Sequence, residues 1–313
     1  MGTQPTEEEL ARAAVAIRGG ELVAFPTETV YGLGANALDA SAVAKIYQAK
    51  KRPYASPLIV HVADEAMARS VAAEWPALAH RLAARFWPGP LTMVVRKAGL
   101  IPDIVTAGLE TVGVRVPSHP VALELIRSSR VPIAAPSANR FGEISPTTAE
   151  HVRQSLGKQV EIVLNGGPSH VGIESTVVSL SRTPPTVLRP GMIPVSTLEE
   201  VSGIPWDREP DLPHIVSDVP QESPGMNSRH YAPRTPLIIL EAGAKTPAGK
   251  GRVIQMPADV RTYAARLYDE LHRADNEGWE WIAVLAPPDT PAWEGVRDRL
   301  RRASTPLVGV ATT

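Results

Sequence analysis

Apolar positions in the first two hundred residues switch repeatedly between helical and strand spacing. Leu10, Ala13, Ala14 and Ile17 recur every three or four residues, which predicts a helix over 7–18. Thr6 and Glu9 stand ahead of it with capping-box spacing, and Gly19-Gly20 ends it. ELVAFPTETVYGLGANA then reads as an apolar strand followed by a polar, glycine-rich turn. SAVAKIYQAKKR reads as a helix capped by Ser41. Val43, Ile46 and Tyr47 face inward, and its basic residues lie at the C-terminal end, where the helix dipole favours them. PLIVHV is strand-like. Helices are predicted over 64–73, 76–86, 120–129 and 148–156, and strands over 91–95, 111–116, 131–137, 160–165, 175–180 and 185–190. The two kinds of element mix without a strict βαβ rhythm. The expected fold is therefore α/β, with a twisted mixed sheet instead of a regular doubly wound one.

Near residue 205 the periodicity stops. Seven prolines fall between Pro205 and Pro236. Proline fixes φ and removes a backbone donor, so this stretch predicts an extended linker outside the core. The expected division is a first domain over 1–204, a linker over 205–235 and a second domain over 236–313. In the last, LIILEAG, GRVIQM, a helix over 259–274, WIAVLAP, a helix over 292–302 and TPLVGVA predict a small α/β unit with Rossmann-like alternation.

Charge narrows the function classes. The 313 residues carry 32 Lys and Arg against 33 Asp and Glu, and neither predicted domain is polarised. That excludes a strongly basic nucleic-acid coat, though not a local basic patch. With no cysteine, disulfides, thiolate zinc sites, iron–sulfur clusters and cysteine nucleophiles are all excluded. No apolar run approaches the ~18 residues that would span a bilayer. The first residues lack the pattern of a secretory signal. Gly2 and Thr6 match a short myristoylation pattern, but Thr6 reads better as a helix cap. No membrane association and a cytoplasmic location are the expectation.

Familiar catalytic motifs are missing: GxxxxGK[ST], HExxH and GxSxG do not occur, and the eight histidines are scattered. YGLGANA holds a GxGxxA that echoes a dinucleotide fingerprint, but no acid follows at the expected distance, and a tight turn explains the glycines as well. Arg115 lies in the apolar strand TVGVRVP. A guanidinium there meets either a ligand anion or a buried Glu. Lys50, Lys51 and Arg52 cluster before Pro53, as at many solvated helix ends. His61 sits in an apolar strand, where a lone His is usually a satisfied core residue. Ser137, Ser145 and Thr147 fall in turn and cap contexts.

Taken together, the motifs are more specific. FPTETVYGLGANA, AKKRPYASPLIVHV, FWPGPLT, TVGVRVP, APSANRFGEISPT, GIESTVV and LRPG follow one another in an order that resembles the YrdC/Sua5 family, the L-threonylcarbamoyladenylate synthases. SPGMNSRHYAP resembles the segment that marks the longer, two-domain Sua5 branch. The resemblance covers nearly all of 7–236. It implies a twisted YrdC-like sheet around a concave, positively charged cavity, with a small Rossmann-like Sua5 domain after it. It also implies a nucleotidyltransferase that joins L-threonine, bicarbonate and ATP into threonylcarbamoyl-adenylate, releasing pyrophosphate. A downstream tRNA threonylcarbamoyl-transferase complex would then make t6A at adenosine 37. Mg2+ is expected with ATP, held mainly by phosphates and water, and direct tRNA binding stays open.

Carried over residue by residue, the resemblance implies a threonine site made by Thr29, His61, Arg115, the Ala135 backbone and Ser175, with Thr27 and Tyr31 on the same wall. It implies ATP contacts from Lys50, Arg52, Ser56, Thr111, Ser137, Ser145, Arg189 and Tyr231. Lys50, Arg52 and Arg115 would carry catalysis by positioning and charge. Lys51 stands where the family usually has Gly, and Ser56 where it commonly has Asn. Glu28 and Glu174 are candidate helpers for a metal. Ser228, Arg229, His230 and Tyr231 form a polar, aromatic patch that a mere spacer would not need, so the linker is expected to fold over the cavity mouth as a lid. Two alternatives remain: a tRNA- or dsRNA-binding module, and a carbamoyl-transfer enzyme like the YrdC-like part of HypF, against which the lack of cysteine argues.

Overall fold

The computed structural model describes residues 4–209, 221–224 and 230–305. The first unit runs α1 (Glu7–Arg18), β1 (Val23–Phe25), β2 (Gly32–Asn36), α2 (Ala40–Lys50), β3 (Ile59–His61), α3 (Glu65–Val71), α4 (Ala77–Phe86), β4 (Leu91–Arg96), α5 (Asp103–Thr106) and β5 (Thr111–Arg115). It continues with α6 (Pro120–Ser129), β6 (Ile133–Ala134), α7 (Ala149–Leu156), β7 (Ile162–Val163), β8 (Thr176–Ser179), β9 (Thr186–Arg189), α8 (Val195–Ser202) and β10 (Asp207–Arg208). The second holds β11 (Leu237–Leu240), β12 (Gly251–Ile254), α9 (Val260–Asp275), β13 (Trp281–Leu285) and α10 (Glu294–Ala303).

The first unit is one mixed sheet in the order β10-β9-β8-β4-β5-β3-β6-β2-β1-β7, and the second is a parallel sheet in the order β11-β13-β12. Both agree with the expected α/β architecture. Alternation along β1 shows how the large sheet is covered. Val23 and Phe25 join the apolar layer of α1 and α6, while Ala24 joins that of α2 with Ile46 and Tyr47. At the sheet centre β5 pairs in parallel with β3, setting Arg115 beside His61, and antiparallel with β4.

Three expectations need correction. Gly32 and Gly34 are not in a turn or a dinucleotide loop; they lie in β2, antiparallel to β1. A Cβ on Gly34 would lie 2.7 Å from both Ile133 and the Phe25 ring, so bulk from neighbouring strands fills the space a side chain would take. Helix α2 is capped by Asp39, whose Oδ1 accepts from the Ser41 and Ala42 amides, not by Ser41. At its end Lys51, where the resemblance implies Gly, adopts a left-handed conformation (φ 52°, ψ 41°), at a cost of about 1 kcal/mol for a residue with a Cβ. The proline-rich segment is not wholly outside the core either. β10 extends the large sheet, and Ser223, His230 and Tyr231 are buried. Ser228 and Arg229 lie outside the described residues, as does all of the expected final strand except Thr305. No helix among the described residues is long and apolar enough to cross a membrane.

The two units meet backbone to backbone. A Cβ on Gly172 would lie 2.3 Å from the Ala264 carbonyl oxygen of α9, and one on Gly295 would lie 2.5 Å from the Gly191 carbonyl oxygen. Val30, Ile144 and Ile173 of the first unit share an apolar cluster with Leu267, Tyr268 and Leu300 of the second. Gly295→Ala should therefore lower stability by on the order of 1–3 kcal/mol in chemical denaturation, whereas Gly99→Ala, with no atom near its Cβ, should stay within about 0.5 kcal/mol.

Candidate active site

The ends of β1, β3, β5, β6 and β9 and the start of β8 converge on a partly enclosed cleft. Of the residues singled out from the sequence, Thr27, Thr29, Arg52, His61, Arg115, Ala135, Ser137, Glu174, Ser175, Arg189 and Tyr231 line it. His230 and Pro224, from the proline-rich segment, complete the wall. Lys50, Ser56, Thr111, Ser145 and Tyr31 do not line it.

Each of these five has another place. Lys50 Nζ donates to the Ser137 carbonyl (2.6 Å) and to that of Asn139, pinning the PSAN loop from behind. Burial and the nearby Arg52 push its pKa well down. The Ser56 carbonyl accepts from Tyr47 Oη (3.0 Å) and Arg52 Nε (3.2 Å), so it aims Arg52 through its backbone. Thr111 opens β5 and Arg115 closes it, which separates them by about 13 Å at the strand rise. Ser145 Oγ donates to Glu174 (2.6 Å), and Tyr31 Oη donates to the Gly167 carbonyl (2.6 Å).

Charge in the cleft is unevenly satisfied. Arg115 Nη2 lies 2.7 Å from Glu28 Oε1, both buried, but neither atom makes an aligned hydrogen bond. Arg115 also donates to Gly89 O and to Thr29 Oγ1 (2.9 Å). Burial pushes the Glu28 carboxyl up, yet Arg115 and the backbone donors outweigh it, so its pKa lies below the usual value. Glu174 is likewise held low: Arg299, Arg189, Ser145 and further hydrogen bonding overcome the burial. Glu174 on the wall and Glu28 beside Arg115 are thus both ionised and matched.

Arg52 and Arg189 have no such match. Arg52 donates to the Ser56 and Pro57 carbonyls and lies 5.5 Å from the Phe141 ring centre. Arg189 donates to Ser175 O, Ser175 Oγ and Pro224 O. Neither has a carboxylate partner among the described residues. Burial pulls Arg52 down to about 10 and lowers Arg189 as well, the mark of cations held in a poorly solvated place. An anion would relieve both.

Hydrogen-bond direction adds detail. Thr27 Oγ1 donates to Val30 O (2.6 Å), so the Thr29 hydroxyl must donate to Thr27 (2.9 Å). Thr29 also accepts from Arg115, and what it still presents to the cleft is a lone pair. Ser175 Oγ pairs with Thr92 Oγ1 (2.8 Å) behind it. Burial, then Arg115, pulls His61 down to about 3, so its ring faces the cleft neutral.

Sequence reading missed Thr92, Phe141, Tyr268 and Arg299. Thr92 and Phe141 lie inside motifs already singled out, but only the fold shows which way they face. No cage of three metal-ligating side chains exists among the described residues, and Glu28 and Glu174 are both engaged by arginines.

Two outcomes follow from these charges. Arg115→Ala leaves Glu28 buried and unmatched, so it should cost about 3–5 kcal/mol of stability, and Arg115→Met with Glu28→Gln should recover the stability but not the function, as denaturation beside a substrate-binding assay would read. His61 and His230 lie at about 3, and His151 and His272 at about 4, all from burial first. The unfolded chain, with His near 6.5, binds more protons below that pH. Thermal stability should therefore fall as pH drops from about 6.5 towards about 4, and His151→Phe should flatten the slope.

Residues 15–191 match the Sua5/YciO/YrdC family model, described as telomere recombination. Residues 193–305 match the model of the threonylcarbamoyl-AMP synthase C-terminal domain. The chain is 48% identical to a threonylcarbamoyl-AMP synthase of Pyrococcus abyssi, with 95% of this chain and 94% of that one covered. It is 42% identical to that of Bacillus subtilis, at 95% and 93% coverage. A crystal structure of P. abyssi Sua5 complexed with L-threonine superposes with a TM-score of 0.88 and 39% identity, over 96% of each chain. With both family models matched in sequence and the two-unit fold superposing along nearly its whole length, the chain belongs to the Sua5/YciO/YrdC family, in its two-domain Sua5 form.

Proposed function

We infer that this chain is a threonylcarbamoyl-AMP synthase, taking L-threonine, bicarbonate and ATP to threonylcarbamoyl-AMP and pyrophosphate. The observation that carries the reading is the division of the cleft. One buried arginine is paired with Glu28 and stands beside neutral polar groups, and two more have only carbonyl and hydroxyl oxygens for partners. The first environment suits an amino acid and the second suits phosphates.

In this reading Arg115 binds the threonine carboxylate with the N–H that is poorly aligned to Glu28. Thr29 accepts from a donor on the amino acid, and neutral His61 adds no charge to repel its amino group. Attack of that amine on bicarbonate forms an N–C bond and expels water, giving a carbamate. A carbamate oxygen then attacks the α-phosphorus, the bond to the β-phosphate oxygen breaks, and pyrophosphate leaves with the electron pair. No protein nucleophile is needed; the residues align the reactants and stabilise charge. Arg52 and Arg189 hold the phosphates, with Ser137 on the same wall. Lys50 serves by fixing the Ser137 loop, in place of the direct phosphate contact expected from its motif.

Mg2+ would come with ATP, held mainly by phosphates and water, since Glu174 on the cleft wall and Glu28 beside Arg115 are already matched by arginines. His230 and Tyr231 fit a cover over the nucleotide. They are buried on the cleft wall, and the chain beside them is pinned to both units by His230 N–H to Arg302 O and Ala232 N–H to Gly142 O. Such a cover would shield the labile carbamate from water. The product is of use to a tRNA-modifying transferase.

Mass spectrometry of products from ATP, bicarbonate and L-threonine, with L-serine as control, tests the reaction. Arg52→Ala should raise the ATP KM by about tenfold or more while changing the threonine KM by less than about threefold. Absence of threonylcarbamoyl-AMP from the wild-type reaction would sink the reading.

A further inference from the structure

One buried arginine has no part in the mechanism above. Arg299 lies on α10 of the second unit and is fully shielded from solvent, yet its guanidinium reaches the cleft wall. Nε donates to Glu174 Oε2 (2.7 Å) and Nη2 to the Glu174 carbonyl (3.2 Å). Nη1 donates to the Pro190 carbonyl (2.9 Å) and to Asp298 (2.6 Å). Three of these four holds fall on Glu174 and Pro190, the residues just before Ser175 and just after Arg189, both cleft residues. Arg189 grips the next carbonyl along, that of Ser175. The Arg299 guanidinium also lies 5.4 Å from the Tyr231 ring centre.

Glu174 decides what this arrangement does. Its buried carboxylate lines the same cleft as Arg189. Both arginines act on its charge: Arg299 by direct contact, Arg189 through its field. Tyr268 Oη and Ser145 Oγ complete its partners, and both face it from outside the cleft lining. A carboxylate turned towards Arg189 would cancel the positive charge offered to a phosphate. We propose that Arg299 is a positioning residue for ATP use: by holding the Glu174 carboxylate from behind, it keeps that acid off Arg189 and leaves Arg189 open to a phosphate. The second unit thus completes the active site without touching a substrate. The inference rests on reading Arg189 as a phosphate ligand.

The test uses the full chain and four variants: Arg299→Met, Arg299→Lys, Glu174→Gln and Arg299→Met with Glu174→Gln. KM values for ATP and for threonine are read from pyrophosphate release. Arg299→Met should raise the ATP KM about tenfold and leave the threonine KM within about twofold, with Arg299→Lys in between. Removing the acid as well should restore the ATP KM to within about threefold of Glu174→Gln alone. Stability lost in Arg299→Met would also return when the acid is removed, so the mark of positioning is the rise and recovery of the ATP KM while the threonine KM stays still. Asp298, the other acid on Arg299, keeps Arg301 and Arg302 in every variant.

If Arg299→Met does not fold, as its melting curve would show, the double variant against Glu174→Gln still decides. Equal ATP KM values support the proposal, and a tenfold worse double variant overturns it. An unchanged ATP KM in folded Arg299→Met, or ATP and threonine KM values rising together, also overturns it. Wild-type enzyme that releases no pyrophosphate from ATP would strike at the underlying function instead.

Discussion

A guanidinium taken out of water loses several kcal/mol of solvation unless something charged replaces it. Arg52 and Arg189 receive only carbonyl and hydroxyl oxygens from the protein. Those dipoles hold the side chains in place without neutralising them. The remaining field is fixed in position before any ligand arrives, so an incoming polyanion finds donors already oriented in a site of low polarity. The rest of the site follows from this imbalance. Glu28 and Glu174 would destroy it were they not each tied to a different arginine.

The sheet is what makes the imbalance affordable. Parallel pairing of β3 with β5 sets His61 beside Arg115, and antiparallel pairing of β9 with β8 sets Arg189 opposite Val177, within reach of the Ser175 carbonyl. The guanidiniums of Arg115 and Arg189 therefore hang from strand ends whose backbones are already paired in the ladder, while Arg52 follows the end of α2. Loops pinned by buried side chains supply the remaining partners, as Lys50 does for the Ser137 loop.

Much of this was legible in the residues. An arginine in the apolar run TVGVRVP had to meet an anion or a buried Glu, and it meets Glu28 while still facing the cleft. The Ser228–Tyr231 patch looked too polar and aromatic for a spacer, and its two described members, His230 and Tyr231, lie on the wall. Periodicity failed where packing overrode local preference. Gly32 and Gly34 read as a turn because glycine favours turns, but here they leave room for Phe25 and Ile133 across a strand. Basic spacing could not tell Lys50 from Arg52, because one turn of backbone separates a residue facing a loop from one facing the cleft. Arg299 was beyond sequence reading altogether: it stands 125 residues from Glu174, and nothing local signals the pairing.

The glycine contacts between the units bear on how the protein can be cut. Gly172 against α9 and Gly191 against Gly295 leave no side-chain layer to part, and Ile144 and Ile173 lie under the second sheet's helices. A protease that nicks the proline-rich tether would cleave one peptide bond and release nothing, since the halves stay clasped. A fragment ending at residue 204 would bare greasy surface and a carboxylate stripped of its counterion, and would be prone to precipitate. Gene truncation at the tether is thus a poor route to a minimal enzyme, even though the tether looks like the natural place to cut.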